Sequence, residues 1–142
     1  MQTEFVIPVC KPYNFNSTLR SHGWVSLHPN RPVDDSTAFS RVERLSSGLV
    51  VFLDVSAAEG KEPGISINAK AQSKLSNKEI SEIKKRISFM LRLDEDLRPF
   101  YAICKKKGGS WIRLSDGKGY LLRSPTVLED LVKAICTTNI QW

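Results

Sequence analysis

The chain has 142 residues, 41% of them hydrophobic and 25% charged, with 21 Lys and Arg against 15 Asp and Glu for a net charge of +6. That length suits about one domain with a core large enough to fold without staples, and it contains no run of about 18 apolar residues that could span a membrane. The basic excess fits a polyanionic partner through phosphate neutralisation, but a solvated charged face explains a modest excess equally well.

The first half reads as strands. The N-terminus lacks the basic region and apolar core of a signal peptide, and Phe5 to Val9 is a short apolar run. Asn14 to Arg20 suits a short helix, and the Pro-bearing segment from Leu27 to Asp35 reads as loop. Leu49 to Val55 is a fuller buried run, preceded by Ser46-Ser47-Gly48 as a hairpin turn. Ile65, Ile67 and Ala69 then alternate with Ser66, Asn68 and Lys70, as in a half-buried strand.

The second half turns helical. Ser76 and Glu79 form a capping box, Leu75 and Ile80 can staple it, and Ile80, Ile83, Ile87, Met90 and Leu91 share one face. A second helix starts with Asp96 as cap, carries Pro99 in its first turn and ends near Lys107 before Gly108-Gly109, with Leu97, Tyr101 and Cys104 inward. Lys105, Lys106 and Lys107 there compensate the helix dipole first and contact phosphate second. Trp111 to Leu122 reads as a strand-like or irregular connection around a tight turn at Asp116-Gly117-Lys118-Gly119.

The last stretch, Ser124 to Trp142, opens a further helix with Ser124 as N-cap, Pro125 at the first position and Glu129 and Asp130 near the positive end of the dipole. Leu128, Leu131, Val132, Ile135 and Cys136 fall on one face, which Asn139 continues as a polar residue. No Gly, basic last turn or Pro stop follows. An apolar face of this length must pack on something, and the expectation is that a further domain covers it rather than the rest of this chain.

Strands first and helices afterwards predict an α+β fold, an antiparallel sheet with helices on one face. Residues 1–75 form the sheet part, 76–123 the helices and connection packed on it, and 124–142 the first helix of a separate helical unit. Cys10, Cys104 and Cys136 are an odd number, widely spaced and set in apolar runs. They read as small buried hydrophobes in a reducing compartment, cytoplasmic or nuclear and not secreted. Trp24, Phe52, Phe89, Phe100 and Trp111 also lie in apolar patterns and read mostly as core. His22 and His28, six apart, and the isolated Cys10 make no metal set, so no cofactor or metal is expected.

Two segments carry a resemblance. A-I-C-T-T-N (Ala134 to Asn139), preceded by L-L-R-S-P-T-V-L-E-D-L-V-K, resembles the first core helix of the helix-hairpin-helix DNA glycosylases, the base-excision-repair enzymes that include 8-oxoguanine and 3-methyladenine DNA glycosylases. It is more similar to the 8-oxoguanine type, whose helix reads I-C-S-S-N. Upstream, F-M-L-R-L-D-E-D-L-R-P-F-Y (Phe89 to Tyr101) resembles the helix pair that precedes that segment.

The resemblance implies an N-terminal sheet domain like the TATA-binding-protein fold, leading into an all-helical glycosylase domain. By position it gives Asn139 the role of entering the space left by the flipped base, with Thr137 and Thr138 where the family has serines. Lys118 and Arg123, beside that helix, are candidate DNA contacts. Asn139 has an equal bland reading as a frayed helix end. The implied partners are duplex DNA carrying a damaged base, met through the parent protein, and the remainder of the helical domain, with no membrane partner.

Catalytic residues are not assigned. A glycosylase must extrude the base and hold a carboxylate against the glycosidic bond, and the family does so with a Gly-rich hairpin followed by an Asp. Lys107-Gly108-Gly109 and Gly117-Lys118-Gly119 lack the apolar-Pro-Gly-apolar-Gly form of that hairpin. The expectation is therefore a non-catalytic front part of an N-glycosidic bond hydrolase, inactive alone. The alternative is a stand-alone binding or scaffolding module that uses its last helix as a protein interface.

Overall fold

The computed structural model describes residues 1–10, 12–33, 37–59 and 63–138. It is an α+β fold built on a five-stranded, wholly antiparallel sheet. The elements run β1 (Gln2–Pro8), α1 (Phe15–Leu19), β2 (Asn30–Val33), β3 (Ala38–Arg44), β4 (Val50–Ala57), β5 (Gly64–Ala71), α2 (Asn77–Leu91), α3 (Arg98–Lys107) and α4 (Val127–Thr137). Short 3₁₀ turns occupy Trp24–Ser26 and Gly109–Ser115.

Spatial order is β1-β5-β4-β3-β2. After β1 the chain crosses through α1 to the opposite edge, and β2 to β5 return as a meander until β5 pairs with β1. The β3–β4 hairpin turns at Ser46-Ser47-Gly48 as expected: Gly48 adopts φ +86°, a left-handed conformation that a side chain disfavours, and its N–H donates to the Leu45 carbonyl at 2.8 Å. Two strands escaped the sequence reading. β2 lies within the segment read as loop and carries Pro32, tolerated because β2 is an edge strand. β3 carries Arg41 and Glu43 at inward positions, which broke the apolar pattern.

The register aligns Phe39 with Val55, Val55 with Ile67 and Ile67 with Phe5, so one face collects the apolar side chains. That face is covered by α2, whose Ile83, Ile87, Met90 and Leu91 are buried as the spacing predicts. Phe15 and Leu19 of α1 and Leu122 complete the cluster. The opposite face is open, with Val6, Val42, Val50 and Phe52 exposed on it.

The capping box of α2 is present in full: the Ser76 N–H donates to Glu79 Oε2 at 2.8 Å, and the Glu79 N–H donates to Ser76 Oγ at 3.3 Å. α3 starts one residue later than expected, with Leu97 at the N-cap position. Asp96 still serves its first turn by accepting from the Arg98 N–H at 3.0 Å. Its carboxyl is lowered to about 2, chiefly by that hydrogen-bonded arginine. The connection read as strand-like or irregular is not a strand: it begins as a 3₁₀ helix and is irregular from Asp116 to Arg123. No helix among the described residues is long and apolar enough to cross a membrane.

Truncating the sheet-facing centre of α2 should be far worse than removing its cap. Ile87→Ala is expected to lower the unfolding free energy by about 2–5 kcal/mol and Ser76→Ala by about 1 kcal/mol, both read from urea unfolding.

Candidate functional site

The site begins with how α4 is capped and which way it faces. Thr126, not Ser124, is the N-cap: its hydroxyl accepts from the Glu129 N–H at 3.2 Å, so the helix opens two residues after the expected position. Ser124 is fully buried and otherwise engaged. Its N–H donates to Asp130 Oδ1 at 3.0 Å, and its hydroxyl accepts from Lys133 Nζ at 3.0 Å. A serine tied into an interface on both sides cannot also cap the helix, so the next hydroxyl does.

The face of α4 that meets the rest of the protein is the charged one. Arg41, on the core side of β3 and 2% exposed, donates through Nη2 to Glu129 Oε2 at 3.1 Å and through Nη1 to Asn30 Oδ1 at 2.7 Å. Lys133, 6% exposed, donates to Glu129 Oε1 at 2.6 Å. The network continues from Arg41 to Glu43 at 2.7 Å, from Glu43 to Arg86 at 2.7 Å and from Arg86 to Glu82 at 2.6 Å. Three cations thus face three carboxylates across β3, α2 and α4. The Arg41–Glu43 pair is close without hydrogen-bond alignment at Glu43 Oε1, and Arg41 Nε is likewise unbonded. Beside the network, Trp24 Nε1 donates to Asp130 Oδ1 at 2.7 Å.

Burial alone would raise the Glu129 carboxyl, but hydrogen bonds from Lys133 and Arg41 outweigh it and hold the group below its ordinary value of 4.5. Asp130 is lowered in the same way: desolvation works against the shift, and the Trp24 and Ser124 donors exceed it. Both carboxylates are therefore ionised at neutral pH, and the seam is a charge-balanced cluster in which only Arg41 Nε and Glu43 Oε1 lack a hydrogen bond among the described residues. Such a cluster adds little relative to a well-packed apolar one, yet removing one member strands a buried charge.

The apolar face points away from the domain. Val127, Leu128, Leu131, Val132 and Ile135 are between 51 and 78% exposed. The residues predicted to share a face do share it, and among the described residues nothing covers them. Contiguous exposed apolar surface of this kind marks an interaction site more often than a free surface.

The predicted DNA contacts are placed as follows. Asn139 lies outside the described residues. Thr137 donates to the Lys133 carbonyl at 2.7 Å and Thr138 to the Ala134 carbonyl at 2.8 Å, so both hydroxyls satisfy the last turn of α4. Arg123 is committed to its own domain: Nε donates to the Phe89 carbonyl at 2.6 Å and the guanidinium stacks 3.6 Å from the centroid of the Phe89 ring, with Asp94 and Glu95 within 4 Å. Lys118 sits in the 116–119 turn, where its carbonyl accepts from Tyr101 Oη at 2.7 Å. Thr137, Thr138 and Arg123 thus have hydrogen bonds within the chain, and of Lys118 the backbone carbonyl is engaged.

Other expectations need correction. Cys10 and Cys136 are exposed and only Cys104 is buried; Cys136 is exposed because the apolar residues of α4 around it face outward. Phe52, Phe89, Phe100 and Trp111 are exposed, and Trp24 is partly buried. Phe52 lies on the open sheet face, and Phe89 and Phe100 lie outside the buried stripes of α2 and α3. No group of three metal-ligating side chains occurs among the described residues.

Sequence reasoning missed the seam. Its signals were the alternation of Arg41 and Glu43 with Phe39 on one side of β3, and the i, i+4 spacing of Glu129 and Lys133 opposite the apolar stripe. No family model matches the chain, and neither a curated protein nor a solved structure is similar to it.

The lowered Glu129 and Asp130 carboxyls contribute to docking α4 fully above their ordinary range, and that contribution is lost as pH falls through the depressed values. The Trp24 indole N–H resonance should hold its position from neutrality down to the ordinary carboxylate range and move only below it. Arg41→Ala should lower the unfolding free energy by about 3 kcal/mol, because Glu43 and Glu129 lose their shared cation.

Proposed function

We propose that this chain is the N-terminal, non-catalytic part of a base-excision-repair DNA glycosylase that removes damaged bases from duplex DNA. The observation that carries the reading is the orientation of α4. It is fastened to the sheet domain by Glu129, Asp130 and Lys133 and turns Leu128, Leu131, Val132 and Ile135 outward. A helix so arranged is the first member of a second apolar core rather than the last of this one. It is also the segment that resembles the first core helix of the helix-hairpin-helix glycosylases. A five-stranded antiparallel sheet covered on one side by helices is compatible with the family's leading domain, for which we propose the TATA-binding-protein-like arrangement.

On this reading the remainder of a helical domain packs on α4, and Asn139, two residues after Thr137 in the sequence, has the role of entering the space of the extruded base. The rest of the helical domain supplies the carboxylate. The sheet domain's part is to hold the first helix at a fixed angle.

Reading the gene beyond the Trp142 codon and assaying both proteins tests the proposal. The frame should encode a Gly-rich hairpin followed by an Asp, and the longer protein should release a damaged base from duplex DNA. The 142 residues alone should release none and bind duplex weakly, with steep salt dependence and no preference for the lesion. A stop codon, a continuation without hairpin and Asp, or base release by the 142 residues alone contradicts the proposal. The first two outcomes leave a binding module whose partner covers α4.

A further inference from the structure

We infer that the end of α3 and the 3₁₀ turn after it form a contact surface for a strand of nucleic acid with unpaired bases, separate from α4 and independent of the glycosylase reading. From Leu97 to Ser115 the sequence holds no acidic residue and five cations. Arg98 is taken by Asp96 at 2.8 Å. Lys105, Lys106, Lys107 and Arg113 are exposed and have no ion-pair partner among the described residues. What sets this stretch apart is that three consecutive lysines and Arg113 stand there beside an exposed indole with no acidic residue between Leu97 and Ser115.

Within that set lies Trp111, 43% exposed, with the Lys107 ammonium 4.8 Å from its ring centroid. α3 turns Tyr101 and Cys104 inward, which leaves the three lysines on the solvent side. Gly108 and Gly109, both at positive φ with open space where a Cβ would stand, link α3 to the 3₁₀ turn, which packs against α3 and brings Trp111 under Lys107. An exposed indole among unpaired cations offers what an unpaired strand needs, a stacking platform with charge for the adjacent phosphates.

Duplex DNA fits less well, because its bases are already stacked and leave the indole unused. An anionic lipid surface would take the cations too. There the indole would have to enter the interface with the Lys107 ammonium held over its ring, a charge carried toward the acyl region at a penalty. Charge and aromatic geometry together favour the single strand.

Fluorescence anisotropy with a labelled oligothymidylate of about 12 nucleotides, titrated at several salt concentrations, tests this. Wild type should bind. Trp111→Ala should weaken binding about ten-fold or more at fixed salt while leaving the salt slope unchanged, and Trp111→Phe should retain most of the affinity. Joint Lys105→Gln and Lys106→Gln substitution should reduce the slope by about 1.4, at roughly 0.7 per phosphate contact on a single strand. Inorganic polyphosphate, which has charge but no bases, should respond to the lysine changes and not to Trp111→Ala. No binding at low salt, equal loss of oligonucleotide and polyphosphate on Trp111→Ala, or Trp111-dependent binding to phosphatidylserine vesicles without oligonucleotide binding would each overturn the inference.

Discussion

Arg41 occupies a place where a sheet of this kind would otherwise carry another Leu or Val. It sits inward on β3, opposite Leu53 and one alternation from Phe39, and it is as buried as its apolar neighbours. An isolated guanidinium could not remain there. Its presence obliges the protein to bring carboxylates to it, and Glu43 from the same strand and Glu129 from α4 do so. Lys133 and Arg86 then balance those carboxylates. The position of α4 follows from this requirement. The helix docks by its charged face because the sheet offers it a charge, and its apolar face is left outward as the geometric consequence.

An ionic mount has different properties from an apolar one. Apolar packing is tolerant of rotation about a helix axis, whereas the Arg41–Glu129, Lys133–Ser124 and Trp24–Asp130 hydrogen bonds fix both rotation and height. For a helix that must present a second face to something else, fixed orientation is the useful property, and buried ion pairs contribute specificity more readily than stability. The glycosylase reading gives that fixed face a use, since a residue placed at the end of such a helix is held in register with the sheet domain.

Much of the fold was legible because local chemistry agreed with the final packing. The capping box at Ser76 and Glu79, the apolar stripe from Ile80 to Leu91, the hairpin glycine at Gly48 and the alternation in β5 each specify their element without help from distant residues. β3 was not legible, since Arg41 and Glu43 stand at inward positions whose reason lies 88 residues away in Glu129. The cap at Ser124 misled for the same cause: its hydroxyl is drawn into the interface by Lys133. In α4 the apolar stripe was read correctly, but only tertiary structure says which side of it faces the protein. The exposure of Trp111 belongs to this class too, because a tryptophan in an apolar stretch reads as core until its neighbours are seen to face solvent.

The central claim is that α4 is bound by its polar side, and its most direct test is the unfolding free energy of Leu131→Asp. In an ordinary amphipathic helix a leucine in the apolar stripe is core, and a carboxylate there leaves a buried charge and a lost contact worth several kcal/mol. Here Leu131 is 54% exposed on the uncovered face. The account predicts a change within about 0.5 kcal/mol with the near-ultraviolet signature of the fold intact. A loss of several kcal/mol would mean that the apolar face is the packed one and would contradict the account.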